Sequence, residues 1–540
     1  MNSAQILFRI TAGQRCLTQP LARHTHTSIL FKQFKLANMA SETLRQRHRE
    51  FNSTAVAPES QKPAGDGERD TEPGNKTSGS KRSLTIAIAG VLALLSVTGY
   101  SFMRQPSGVP AVALTTVATP TETALQSVAT KRGDAQKRLE GMTKVERRKE
   151  VNRLPILTDD EVDAVLRANE KSWQAINGAL RIDTDQVSSN EPIEDYLATG
   201  DIHGGSRYMV GVFDGHAGFM CAEQLAARMQ PMIDAALQEI EGTNKTISAP
   251  LSDAVVRLQR DVGRGWDTVP MALTAAFMAM DNELVHASLA EYQRLADPSQ
   301  MSRLLGPAVS GSCGLVALVD TDANEVVVAN TGDSRALLGV RLANGTWKAV
   351  RLSQDHTAGN QNELSRLARE HPGETVIRSG RILGGLMPTR AFGDSRYKWP
   401  IGVQRALFPQ LLANGHKYAT SPPDLLSPPY VTAHPVIVRH KLGKGDRFIV
   451  VASDGLYDQM ADADIVQVVA QWYEARDPAS GLVTKDKNAA THLIRAALST
   501  DGNGNRRDEI IRYMLAIPPP VSRRYRDDIS VAVITLNEAN

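Results

Sequence analysis

Cysteine is scarce: Cys16, Cys221 and Cys313 are the three in 540 residues, far apart and without a CxxC pair. That excludes a disulfide framework and a thiolate metal site. A strong charge of either sign is missing too, since 61 Lys and Arg against 59 Asp and Glu leave +2, which exerts no global pull toward nucleic acid or acidic membranes. Aromatic residues reach only 5%, so the basic groove with stacking aromatics that a nuclease needs is not supported. Internal repeats are absent. What is present is apolar: 42% of residues, enough to fill a substantial core.

Acidic residues are absent before Glu42, while Arg9, Arg15, Arg23, Lys32 and Lys35 punctuate Ser, Thr, Ala and Leu. This composition marks residues 1–50 as a mitochondrial presequence. Residues 51–82 turn to Pro, Gly, Ser, Thr and mixed charge, which buries too little apolar surface to offset ordering entropy. A disordered linker is expected there. The run Leu84 to Met103 holds twenty consecutive uncharged residues. About 20 helical residues at roughly 1.5 Å each span a bilayer core, so a membrane-crossing helix is expected over 83–103. A buried core helix is the alternative, but linker-like flanks leave no core to receive it. Such an anchor would hold the chain at the mitochondrial inner membrane, with the folded part on either the matrix or the intermembrane-space side. Residues 104–153 read as further linker and then, from Asp134, a charged segment forming a solvated helix or a tail. One folded domain with insertions is expected over 154–540. Thr158 and Glu161 fit a capping box ahead of Val162, Val165 and Leu166 and start its first helix.

In this domain several apolar runs stop or start on acidic residues. In YMVGVFDGHAGFMCAEQLAARM, Val210, Val212 and Phe213 read as a buried strand, and Leu225, Met229 and Ile233 recur at helical spacing. Asp214, Gly215 and His216 therefore fall where strand gives way to helix. DRFIVVASDGLYDQM gives a strand from Phe448 to Ala452, then Asp454, Gly455 and Asp458. VVVANTGDSRALLG places Asp333 in a turn between two strands. RDDISVAVITL reverses the order, with Asp527 and Asp528 ahead of a half-buried strand in which Ile529, Val531 and Val533 alternate. PIEDY adds Glu194 and Asp195. Any one of these is more often a turn or strand-end cap than a ligand. Their number points to a metal site built at one end of a sheet. All the donors are oxygens, which selects hard cations such as magnesium or manganese over zinc. Two such ions roughly 3.5 to 4 Å apart activate a water and stabilise in-line displacement at phosphorus. A glycine after Asp214 or Asp454 lets carbonyls or waters approach where a Cβ would crowd them. Hydrolysis of a phosphate ester is the chemistry this set suits.

The ordered series EDY, VFDGHAG, SGSCG, NTGDSRALL, TRAFGD, VASDGLYD and RDDISV resembles the metal-dependent protein phosphatases of type 2C, from about Leu180 to Leu536. LGGLMPTRAFGDSRYKW and SNEPIED are most similar to the pyruvate dehydrogenase phosphatase branch. The resemblance implies an α+β fold in which two packed antiparallel β-sheets are flanked by helices, an α-β-β-α sandwich. It implies a protein serine/threonine phosphatase with two Mg2+ or Mn2+ ions. Asp214 would bridge both, Asp454 and Asp527 would complete one, and Glu194 with the Gly215 carbonyl would hold the other. Asp195 would act through water, and Asp333 and Asp458 would serve a third, weaker ion. His216 is implied as general acid toward the departing serine or threonine oxygen. Arg390 and Asp394 are expected to be structural, with Phe392 in the core. The implied partner is a phosphoprotein such as the pyruvate dehydrogenase E1 alpha subunit, with no nucleic acid. The alternative is a catalytically silent relative that binds phosphoproteins, which the full set of acidic positions disfavours. One position departs from the pattern: Asn190 stands where many family members place a phosphate-contacting arginine. An insertion near 395–435, rich in Pro, Tyr and Leu, is long enough for a substrate-facing flap.

Overall fold

The apolar runs become strands that pair into two antiparallel sheets in the computed structural model, which describes residues 119–242, 249–262, 267–501 and 504–537. The expected presequence, the linker over 51–82 and the membrane-crossing helix over 83–103 lie outside these residues. Among the described residues no helix is long and apolar enough to cross a membrane.

One sheet has six strands, in the order Lys171–Ala175, Leu180–Val187, Ile529–Leu536, Asp446–Ala452, Arg335–Arg341 and Trp347–Arg351. The other has five, in the order Val436–Lys441, Glu325–Thr331, Gly314–Asp320, Arg207–Phe213 and Tyr196–Ile202. The side-chain period of two sorts each strand onto two buried faces. Along Arg207–Phe213, Val210 and Val212 enter the core between the sheets, while Met209 and Phe213 meet helices outside. Helices Met220–Ile240, Thr268–Asn282 and Met301–Val309 cover that outer face. Leu225, Met229 and Ile233 are fully buried there, as their spacing predicts. Asp159–Arg167, Asp462–Glu474, Ala489–Ser499 and Asp508–Ala516 cover the six-stranded sheet, and the first starts on the Thr158 and Glu161 capping box. Strand Ile529–Leu536 is therefore buried on both faces and not on one: only Leu536 is partly exposed. Its alternate positions carry Ser530, Ala532 and Ile534, which suit an interior.

One expectation needs correction. The span 104–153, expected to be linker and then, from Asp134, a solvated helix or a tail, is helical already from Pro120, over Pro120–Leu139 and Lys144–Val151, and these helices are packed on the domain. Each helix opens on a capping box, Thr119 with Glu122 and Thr143 with Glu146. Val128 joins the core outside the six-stranded sheet, and Ala135, Leu139 and Val151 form a small core with Leu154 and Ile517. Arg132 adds two hydrogen bonds, at 2.7 and 3.0 Å, to the Leu515 carbonyl. A sparse apolar stripe suffices because the domain supplies the other half of the contact. The insertion over 395–435, long enough for a substrate-facing flap, is packed on the domain. Helices Ser395–Lys398 and Ile401–Ala413 bring Trp399, Phe408 and Leu411 into the core outside the five-stranded sheet. Tyr397, Leu425, Tyr430 and Val431 pack with Leu367 and Ile382 in a second one.

Candidate metal centre

Acidic residues from both sheets meet at one edge of the sandwich. Asp214 follows strand Arg207–Phe213 and Asp195 precedes Tyr196–Ile202, strands whose register pairs Tyr196 with Phe213. Asp454 follows Asp446–Ala452 and Asp527 precedes Ile529–Leu536, where Ala452 pairs with Val531. Asp333 sits in a turn that leaves the five-stranded sheet at Thr331 and enters the six-stranded one at Arg335. One carboxylate oxygen from each of Asp214, Asp333 and Asp454 lies within 4.8 Å of the others. The Asp454 amide donates to Asp214 Oδ2 at 3.4 Å, and Cys313 donates its amide to the Asp214 carbonyl at 2.8 Å and its thiol to Asp333 Oδ1 at 3.1 Å.

Glycine makes the approach possible. A Cβ on Gly215 would fall 2.1 Å from the Glu194 carbonyl oxygen, and one on Gly455 would fall 2.0 Å from that of Asp528. Both backbones need the missing side chain.

Charge at this edge is not balanced from within. Burial pushes Asp214 and Asp454 well above the usual carboxylate range, and neighbouring acids add to the rise: Asp195, Asp527 and Asp333 on Asp214, and Asp214, Asp333, Asp527 and Asp458 on Asp454. Asp195 is raised by burial and then by Asp528 and Asp527, and its Oδ2 has no hydrogen-bond partner. Asp333 rises through burial, with His216 pulling the other way. Asp527 reaches about 6, burial outweighing an ion pair with Arg523 at 2.6 Å. Among the described residues no Lys or Arg forms an ion pair with Asp214, Asp333 or Asp454. Crowded oxygen donors, of which Asp214, Asp333 and Asp454 have no Lys or Arg partner among the described residues, an unpartnered buried oxygen and a glycine cradle fit a hard divalent cation.

His216 lies beside this cluster on a three-stranded ribbon. Gly215–His216 pairs with Gly311–Ser312, which pairs with Phe392–Gly393, so His216 and Gly393 both face Gly311. A Cβ on Gly311 would fall 2.2 Å from His216 Nε2 and 2.5 Å from Asp394 Oδ2. The two side chains meet through that gap, Nε2 to Oδ2 at 2.7 Å. Burial lowers the imidazolium pKa, but Asp394, Asp333 and Glu194 outweigh it and the net shift is upward. Asp394, expected to be structural, is thus in contact with the predicted acid. Its backbone is left-handed, φ 51°, and its amide donates to the Ser310 carbonyl at 2.9 Å. The preceding Gly393 amide donates to Asp281 at 2.9 Å, and Lys398 bonds both oxygens of Asp281 at 2.7 Å. Arg390 pairs with Glu363, and Phe392 is fully buried.

Of the other predicted positions, Glu194 presents its carbonyl to Gly215, and its carboxyl is raised by burial and Asp528. Asp458 is exposed on the turn after helix Asp454–Tyr457, near enough for its charge to raise Asp454 and Asp527. Asp528, named with Asp527 ahead of its strand but given no role from the sequence, has a defined one. This buried carboxylate accepts the Asn190 amide at 3.0 Å, the Asn190 side chain at 2.9 Å and the Glu194 amide at 2.9 Å. The doubled Asp in RDDIS was the available signal.

The protein phosphatase 2C family profile matches residues 190–505. The chain is 36% identical over 416 residues to a protein phosphatase 2C homolog of Schizosaccharomyces pombe, covering 72% of this chain and 87% of that one. It is 33% identical over 452 residues to pyruvate dehydrogenase (acetyl-transferring) phosphatase 1, mitochondrial, of Homo sapiens, covering 71% and 83%. With the protein of that name from Saccharomyces cerevisiae it shares 34% over 433 residues, 70% of this chain and 73% of the relative.

Proposed function

Because this chain belongs to the protein phosphatase 2C family and is a protein serine/threonine phosphatase, we propose that Asp214, Asp454, Asp527, Glu194 and the Gly215 carbonyl hold two divalent cations, magnesium or manganese. Asp195 acts through water, and Asp333 and Asp458 serve a third, weaker ion. The observation that carries this reading is the convergence of carboxylates from both sheets without a base of their own. When bound, such ions supply a water of lowered pKa and positive charge against the phosphoryl oxygens. His216 holds a proton at Nδ1 or Nε2 and delivers it to the departing serine or threonine oxygen. Asp394 fixes the ring plane and, by its charge and hydrogen bond, favours the imidazolium.

Likeness to relatives named as mitochondrial pyruvate dehydrogenase phosphatases supports phosphoserine on the E1 alpha subunit of that complex as the substrate, and a mitochondrial location. The acid-free start supports the location independently. The run Leu84 to Met103 is proposed to hold the chain at the inner membrane. Recovery of the intact chain in the soluble fraction after carbonate extraction would contradict that anchor.

The test is hydrolysis by the purified full chain. An aryl phosphate and phosphorylated E1 alpha should both be hydrolysed only with magnesium or manganese, and chelation should abolish both activities. Loss of the E1 alpha activity alone would remove the substrate and leave the phosphatase.

A further inference from the structure

Asn190 is committed to holding its loop, since both its backbone and side-chain amides donate to Asp528. A guanidinium nevertheless stands at the rim of the acidic cluster. Arg523, on the short helix Val521–Arg524, places Nη2 2.6 Å from Oδ2 of Asp527. Its side chain is 49% exposed while that of Asp527 is 16% exposed, so the rest of the fork is open. The helix that carries it is tied to the Asn190 loop. Ser522 donates to the Ser189 carbonyl at 2.8 Å, and Arg526 reaches the Ser188 carbonyl at 2.5 Å. Arg523 is therefore held in register with Glu194 and Asp527, and its positive charge is felt by both carboxyls.

We propose that Arg523 is a phosphate-binding residue of this enzyme, its guanidinium engaging a non-bridging phosphoryl oxygen from the Asp527 side of the metal centre. The inference rests on the phosphatase reading and adds a residue to it. A guanidinium has five N–H donors, and an ion pair to Asp527 through Nη2 leaves others for a further oxygen on a side chain that is half exposed. It is always charged, and its planar fork matches phosphate geometry. Without it, the substrate dianion would approach an edge lined by carboxylates with little compensating charge from the chain.

The experiment uses the full chain with saturating Mn2+ and compares Arg523→Lys, Arg523→Ala and Arg523→Glu with wild type. Readouts are competitive inhibition by inorganic phosphate, KM and kcat for an aryl phosphate, and Mn2+ affinity by calorimetry. Arg523→Ala should weaken phosphate inhibition and raise KM by about 10- to 100-fold, as expected for a lost charge-assisted bond, with Mn2+ affinity largely retained. Arg523→Lys should keep part of the phosphate affinity and Arg523→Glu should keep least. Unchanged phosphate inhibition in Arg523→Ala and Arg523→Glu would overturn the inference while leaving the phosphatase intact. So would a fall in Mn2+ affinity with phosphate binding untouched, which would make Arg523 only a counter-charge for Asp527. A wild type that neither hydrolyses the aryl phosphate nor binds phosphate with Mn2+ would overturn both readings.

Discussion

Glu363 and the sheet-edge aspartates are carboxylates set into the same domain, yet their charge is handled in opposite ways. Around Glu363 the chain supplies its own counter-charge, with Arg390 at 2.6 Å, Arg366 at 2.8 Å and the Thr389 hydroxyl at 2.8 Å. Burial alone would raise this carboxyl, but the two guanidinia hold it down at about 2. At the sheet edge, burial and neighbouring acids act in the same direction, and Asp214 and Asp454 rise. A carboxylate balanced from within is a structural joint; a group of them left unbalanced is arranged for a cation from outside. His216 and Asp394 lie between these extremes, because there the counter-charge itself titrates.

The largest effect expected from that contrast is catalytic. His216→Ala should lower kcat by about 10²- to 10⁴-fold on a phosphoserine peptide. The loss should be smaller on an aryl phosphate, whose leaving group needs no acid, so steady-state assays with both substrates decide the role. Asp394→Asn should lose less and shift the acidic-group limb of the pH profile downward, because it removes the charge that raises the imidazolium. Equal losses on both substrates for His216→Ala would make the histidine structural.

Stability separates the two carboxylate environments next. Glu363→Gln should cost about 1.5 to 3 kcal/mol in denaturant unfolding, since it removes the carboxylate that Arg366 and Arg390 share and leaves them only Glu370 and backbone carbonyls. Asp454→Asn in the metal-free protein should cost nothing and raise stability, because it removes like-charge repulsion. If both substitutions destabilise alike, the contrast fails.

The pH dependence has opposite signs. The Glu363 carboxyl is lowered from 4.5 to about 2, so its contribution is complete above 4.5 and is lost as pH falls through about 2. Asp527 is raised from 3.8 to about 6, so the metal-free fold is favoured below 3.8 and loses that contribution as pH rises through about 6. Asp214 and Asp454 shift in the same sense. The melting temperature of chelated protein should therefore fall as pH rises from about 4 through about 6. A cation at a hundred times its Kd should restore about 2.7 kcal/mol.

Much of the cluster was legible because an Asp followed by Gly, or a pair of acids, interrupts an apolar run in a way local reading detects. Asp214 and Asp454 precede a glycine and Asp527 precedes Asp528, while Asp333 follows Gly332 in the turn between two apolar runs. The partition of strands between sheets was not legible. The strands flanking Asp333 read as neighbours but belong to different sheets, because pairing is fixed by distant partners such as Val436–Lys441 and Asp446–Ala452. Asp394 meets His216 across 178 positions of sequence through a glycine gap, which no periodicity encodes. The helix ahead of Asp134 and the packing of both helices over 120–151 escaped for a different reason. Their apolar stripe is thin, but Thr119 with Glu122 and Thr143 with Glu146 are capping boxes of the kind already used to place Thr158 and Glu161. Arg523 had one signal, its place four residues before Asp527.

Calorimetric titration of the full chain with Mn2+ in buffers of different ionisation heat, run beside an aryl phosphate assay, tests the central claim most directly. Raised carboxyls must lose their protons to bind a cation, so binding should release protons, more near pH 6 than near pH 8, and activity should appear with the same saturation. Asp454→Asn should weaken both together. Hydrolysis that survives chelation, or an Asp454→Asn variant that binds Mn2+ as tightly as wild type, would contradict the account.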